Sequence, residues 1–428
     1  MFRWAPPPVL GVMTATHPST RILRCSKTEK EVKGDDLLLC SGEDMWKAAP
    51  ENTLESLRHA IQVHDGIEFD LRLTKDQRVV IHHDGDVSVA PELLENGTPW
   101  VEHYTLDELE AFGFTSFRTL LEDPVVQQQW RDNGKMGCVE LKRPHPKSDP
   151  GGGFFGYSAH KRHITSLIDA ADEVLNEFEI PNENSVYYAF HKGMKSSIEA
   201  SSTSRPWAEL LPYIPPFGNR TTKRLRALPH FMTHSFSRLV NHHRNSGASM
   251  IPAAIEYFVP PINKIPFGKK VGLSGKGAAH LKHAQGGFPV YVWPTRPDVE
   301  HKLLAAGLTG LTDHADPEFT WLPSGHARWT RPATLPLNEQ QSEALASATK
   351  EHHLDVLKEL KAEVTPWIDC DLQQRKDLVD MWSKKWAWSA LERPEFNIPL
   401  GDASSPPWQA VRLIGHRGSG KTSRPVIE

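Results

Sequence analysis

From residue 36 to about residue 322 the chain alternates short apolar runs with stretches of helical spacing. Leu37–Cys40, Ile67–Leu73, Val79–His82, Met136–Leu141, Val186–Phe190, Ile251–Phe258, Val290–Trp293 and Leu308–Leu311 are the candidate strands. Among the candidate helices, Thr53–His64 carries Leu54, Leu57 and Ile61 three to four residues apart. Thr105–Phe112 opens with a capping-box pattern, Thr105 followed by Glu108, and His163–Phe178 is a further helix. Strands alternating with helices predict a parallel α/β sheet, because a parallel pair needs a crossover connection. Over roughly 280 residues the leading architecture is a TIM (β/α)8 barrel, whose functional groups gather at the C-terminal ends of the strands.

The flanks read differently. Residues 1–35 form a tail, with Pro6-Pro7-Pro8 and no apolar period. Its first acid is Glu29, after the basic Arg3, Arg21, Arg24 and Lys27, so the tail is predicted to be disordered or an organellar transit peptide. Residues 323–410 carry no strand signal and are predicted to be a helical extension or linker. Leu337–Val364 reads there as one amphipathic helix on Leu345, Leu354, Leu357 and Leu360, followed by a helical run bearing Trp382, Trp386 and Trp388.

A net charge of −4 without any five-residue basic block argues against a nucleic-acid partner. Cys25, Cys40, Cys138 and Cys370 show no C-x-x-C spacing, which disfavours a zinc site or a disulfide framework. That usage fits a reducing compartment and an intracellular, cytoplasmic location. No run of apolar residues is long enough for a transmembrane segment.

The chemistry starts at Glu68 and Asp70, which share one face of a strand whose other face carries Phe69 and Leu71. Two acids on a face flanked by apolar residues are costly unless a cation sits with them. Arg72 or Lys75 in an ordinary salt-bridge cluster is the plainer reading. The next strand ends in His82-His83-Asp84, and a later one carries Glu140 and Lys142 on a shared face. Three carboxylates suit one hard divalent cation, Mg²⁺ or Ca²⁺, and a cation beside a lysine is a clamp for phosphate oxygens.

Taken in order, Pro50-Glu-Asn-Thr53, Glu68-Phe-Asp70, Thr74-Lys-Asp76, His83-Asp84 and Glu140-Leu-Lys142 resemble the motifs of the glycerophosphodiester phosphodiesterases. Ser116–Glu122, Val290–Pro294 and Gly307–Asp313 resemble later segments of that family, so the resemblance covers residues 36–322. It implies a TIM barrel and a metal-dependent phosphoric diester hydrolase of lipid metabolism. Such an enzyme cleaves a glycerophosphodiester to glycerol 3-phosphate and an alcohol. Its partner would be a glycerophosphodiester or a lysophospholipid-like small molecule. Carried onto this chain, Glu68, Asp70 and Glu140 are metal ligands, His83 is one of two catalytic histidines, Lys142 contacts the substrate phosphate and Glu51 supports the site. A relative of phospholipase C or D type on the same barrel is a further reading.

One motif departs from the pattern. The family opens with His-Arg-Gly at the end of its first strand, whereas the corresponding stretch here is Asp36-Leu-Leu-Leu-Cys-Ser-Gly42. Cys40 is a poor proton shuttle, and loss of an acid/base partner costs about 10²–10⁴-fold in rate. An alternative function is therefore a weak or inactive domain that binds phosphoesters or supports a partner domain. His416-Arg417-Gly418 stands instead near the other end, after Val411-Arg-Leu-Ile414, which reads as a strand. Residues 411–428 are predicted to be the partial start of a second, tandem domain. The less favoured reading has this tail fold back and lend His416 and Arg417 to the barrel. Gly415 and Gly420-Lys421-Thr422 also fit a P-loop, but Pro425 follows where the phosphate-binding helix is needed.

Overall fold

In chain order the strands are β1 (Trp46–Ala48), β2 (Gly66–Leu73), β3 (Val79–Ile81), β4 (Thr115–Ser116), β5 (Met136–Leu141), β6 (Ser185–Ala189), β7 (Trp207–Glu209), β8 (Ile251–Ala254), β9 (Val290–Thr295), β10 (Thr309–Thr312), β11 (Leu413–His416) and β12 (Ser423–Pro425). The structure is a computed structural model. It describes residues 46–48, 51–87, 94, 97–153, 156–213, 220–296, 298–314, 328–349, 351–388, 400, 404–419 and 423–425. The predicted strand Leu37–Cys40, the tail 1–35 and the Lys421-Thr422 pair lie outside the described residues.

Eight strands form one parallel path in the order β7-β6-β5-β2-β11-β10-β9-β8. The path comes close to closing on itself: Ser249, just before β8, donates its amide to Trp207 O in β7 (2.7 Å), and its Oγ accepts from Trp207 N (3.3 Å). This is a TIM-type barrel. Side chains alternate across its wall as strand period requires. Phe69, Leu71, Val139 and Tyr187 point outward into a core shared with the helices Leu54–Val63 and Tyr157–Glu177. Cys138, Tyr188, Tyr291, Leu311 and Ile414 fill the interior.

Helix and strand signals behaved as their chemistry dictates. Thr53 caps the helix Leu54–Val63, and the capping box of Thr105 and Glu108 is present. β7 gave no sequence signal because it is three residues long and follows Pro206 directly. Val79–Ile81 is a strand but leaves the ring, pairing antiparallel with β2 and β4. Gln77, at φ +60°, makes the tight reversal, with Thr74 Oγ1 donating to Asp76 Oδ1 (2.6 Å). The excursion brings His83 back over the barrel mouth.

The C-terminal strand corrects the predicted organisation. Residues 411–428 were expected to begin a second domain; instead Leu413–His416 lies within the first barrel, between β10 and β2. The backbone ladder explains the placement, because the slot offers hydrogen-bonding partners on both edges. Asp65 adds to it: its Oδ2 accepts from Leu413 N (2.8 Å), and its own amide donates to Leu413 O (2.9 Å). Arg412, fully buried, donates to the carbonyls of Pro406, Pro407, Trp408 and Ala410 and fixes the approach. Beyond it, β12 pairs antiparallel with β1.

The segment before that strand is helical, in Glu339–Ser347, His353–Glu363 and Leu372–Trp386. The single helix expected over Leu337–Val364 is two, broken where Ala348 turns extended (ψ 132°). Leu345, Leu357 and Leu360 still share one core. Asp65 ties this extension to the barrel as well, its Oδ1 accepting from Ala333 N, Thr334 N and Thr334 Oγ1.

Candidate active site at the barrel mouth

The register of three adjacent strands assembles the site. His416 of β11 lies opposite Glu68 of β2, and Asp70 lies opposite Glu140 of β5. Glu68 and Asp70 face inward because Phe69 and Leu71 take the outer core. One ligand atom from each of Glu68, Asp70 and Glu140 falls within 4.8 Å of the others. Both β2 acids are buried, and Glu140 is partly so.

Cations surround these acids. Lys142 Nζ is 2.7 Å from Asp70 Oδ1 and also hydrogen-bonds Glu140. Arg417 donates its amide to Glu68 Oε2 (3.0 Å), sets Nε 3.4 Å from Asp70 Oδ2, and donates from its guanidinium to Glu51 (2.8 Å). Arg72 is not the acids' partner: it pairs in the interior with Glu102 (2.8 Å) and donates to His83 O (3.2 Å). It therefore anchors the backbone of the histidine loop.

The two histidines stand on this rim. His416 Nδ1 is 2.6 Å from Asp313 Oδ1, just past the end of β10, and its Nε2 is 3.8 Å from Glu68 Oε2. His83 Nδ1 contacts Asp84 (2.8 Å), and the ring lines the same cavity as Glu68, Glu140, Lys142 and His416. That cavity has a volume of about 400 Å³, with Tyr188, Phe190, Leu210 and Trp293 on its apolar wall. Among the described residues the buried Tyr188 hydroxyl and Trp293 indole N–H have no hydrogen-bond partner, and both residues line this cavity.

Electrostatics separate the two β2 acids. Burial pushes Glu68 up, and the charges of Asp70 and Glu140 add to the rise against the pull of His416. Burial would raise Asp70 too, but Lys142, His83 and Arg417 outweigh it and hold the group well below the usual range. Burial opposes the charge on His416, yet Glu68 and Asp313 prevail and bring it to about 9.

Each candidate residue read from the sequence thus stands at one mouth: Glu51, Glu68, Asp70, His83, Glu140 and Lys142 from the first part of the chain, His416 and Arg417 from the last. Asn52 and Asp313 were missed. Asn52, at φ +57°, donates to Asp70 Oδ2 (2.8 Å) and takes Arg417 O on its amide (3.1 Å). Asp313 follows directly after β10, and its partner histidine is remote in sequence. Neither pairing has a local signal.

Residues 45–180 match the model of the Glycerophosphoryl diester phosphodiesterase family. The glycerophosphodiester phosphodiesterase of Caldanaerobacter subterraneus subsp. tengcongensis is 38% identical over 65 residues, 15% of this chain and 25% of that one. YhdW of Bacillus subtilis is 40% identical over 63 residues, 14% of this chain and 24% of that one. The matches thus span about a quarter of each relative's length. Among solved structures, a glycerophosphodiester phosphodiesterase from Thermotoga maritima overlaps 60% of this chain and 84% of its own, at 17% identity and TM-score 0.36. An Oleispira antarctica phosphodiesterase in complex with the product sn-glycerol-3-phosphate overlaps 63% and 88%, at 16% identity and TM-score 0.39. Residues 45–180, which match the model of the Glycerophosphoryl diester phosphodiesterase family, hold Glu51, Glu68, Asp70, His83, Glu140 and Lys142.

Proposed function

We propose that this chain is a metal-dependent hydrolase that cleaves glycerophosphodiesters to glycerol 3-phosphate and an alcohol. One observation carries the reading: β11 sets His416 and Arg417 against the Glu68, Asp70 and Glu140 cluster. The alternative of a binding domain without turnover rests on a missing first histidine; the approach of His416 Nε2 to 3.8 Å from Glu68 Oε2 supports the active reading over it.

The residues fit a hard cation. Three convergent carboxylates, no thiolate among them, suit Mg²⁺ or Ca²⁺. A bound cation would polarise the phosphoryl oxygens as a Lewis acid. The protein's own groups carry the remainder. Lys142 and Arg417 bind phosphate oxygens and hold the developing negative charge. Asp313 orients the His416 ring through Nδ1, leaving Nε2 toward the cavity, and Asp84 does the same for His83. One histidine takes the proton of the nucleophile, water or the substrate's own glycerol hydroxyl; the other protonates the leaving alcohol. Glu51 and Asn52 keep Arg417 and Asp70 in place.

The test is release of glycerol 3-phosphate from glycerophosphocholine in Mg²⁺ or Ca²⁺. Wild-type protein should turn over, chelator should abolish the rate, and His83→Ala should lower kcat by about 10²–10⁴-fold. Absence of release with either metal would contradict the reading.

A further inference from the structure

The rim beside this mouth has a composition unlike the rest of the chain. Residues 210–285 carry eleven Lys and Arg against a single acid, Glu256, in a protein of net charge −4. The segment includes the loops that leave the C-terminal ends of β7 and β8, on the barrel face that bears the active site, as well as the helices that return from them. The first connection includes an extra helix, Arg220–Thr233, ahead of the barrel-packing helix Phe236–Ser246.

That extra helix has two apolar faces. Ala227 is buried, and Phe231 packs on Tyr257 (ring centroids 4.9 Å apart), turning one face to the barrel. Lys223, one turn before Ala227, lines the active-site cavity. Leu225, Leu228 and Met232, again three to four residues apart, are 66%, 38% and 38% exposed. Phe267, in the connection after β8, is 67% exposed and donates its amide to Met232 O (3.0 Å), so it extends the same patch. Among the described residues six large apolar side chains are exposed, and four of them meet here. Arg226 adjoins Leu225 in the chain, and Lys264 and Lys269 flank Phe267; all three are exposed.

Exposed apolar anchors interleaved with exposed cations, with no acid on the helix, match an interface of lipid acyl chains and anionic head groups. We propose that this rim docks the barrel mouth onto an anionic lipid bilayer, so that the substrate is a glycerophosphodiester carried on a lipid. The inference rests on the hydrolase reading for the substrate, but the docking itself does not. Charge complementarity selects the occupant: a neutral apolar protein partner would need no exposed Arg226, Lys264 and Lys269 among the apolar anchors.

The experiment is sedimentation of the full chain with phosphatidylcholine vesicles, with and without roughly a third phosphatidylserine. Wild type should bind the anionic vesicles, and added salt should weaken binding. Leu225→Ser with Phe267→Ser, and separately Lys264→Glu with Lys269→Glu, should each weaken it about tenfold or more. The Leu225 and Phe267 pair should leave hydrolysis of water-soluble glycerophosphocholine unchanged and lower that of vesicle-borne lysophosphatidylcholine. No binding by wild type, equal binding by the variants, or a Phe267-dependent dimer that ignores vesicles would each overturn the proposal. Vesicle binding without any hydrolysis would sustain docking while removing the hydrolase reading.

Discussion

Arg417 sits at φ +52°, a conformation that non-glycine residues seldom hold without support. The support is visible: its amide goes to Glu68, its carbonyl to Asn52 N, its guanidinium to Glu51. Backbone and side chain therefore bind the cluster together. Asp313 has a specific role, since its Oδ1 holds the ring of His416 through Nδ1 at 2.6 Å. Asp313→Asn should keep the fold and the metal cluster yet lower kcat by about 10²-fold or more, with KM little changed. Steady-state kinetics check this, and an unaltered kcat would deny Asp313 its orienting role. Carboxylates on alternate strand positions were legible because strand period is local. Asp313 and Asn52 were not, because their partners lie on strands that only the barrel brings together.

β11 shows what an element needs in order to close a barrel from a distance. Gly418 follows it at φ +86°, where a Cβ would meet Ser56 Oγ at 2.4 Å and backbone at 2.7 Å. Gly418→Ala should therefore cost about 1–3 kcal/mol or more, seen as a lower urea midpoint. Asp65 is the other tie, a buried carboxylate accepting four hydrogen bonds from the strand and the extension. Asp65→Ala should cost about 3 kcal/mol or more, because it leaves buried amides unpaired. An unchanged unfolding midpoint in either variant would mean β11 is held by its ladder alone. The sequence showed His416-Arg417-Gly418 as a strand-end motif, but two slots were open to it, a following domain or this one. Hydrogen bonding to β2 and β10 decides between them, and register is a property of the assembled sheet.

At the scale of the molecule, burial leaves a pH signature. Burial lowers His64 well below its ordinary value and takes His163 to about 3. Both folded values lie below the unfolded one, so their stabilising effect is present above about pH 6.5 and is lost as pH falls below it, for His163 down to about 3. Urea midpoints should therefore drop between about pH 7 and about pH 5, and His163→Leu should flatten that drop. A midpoint independent of pH would contradict the burial of these rings. The alternation of strands and helices made the barrel legible, since each unit carries its own period. The route by which residue 416 returns to residue 68 was not, since chain crossing leaves no local pattern. Turnover of glycerophosphocholine by His416→Ala, measured beside wild type at equal metal and equal thermal stability, tests that return most directly. A loss of about 10²–10⁴-fold in kcat is the predicted result. A wild-type rate would show that the C-terminal strand completes the barrel but not the chemistry.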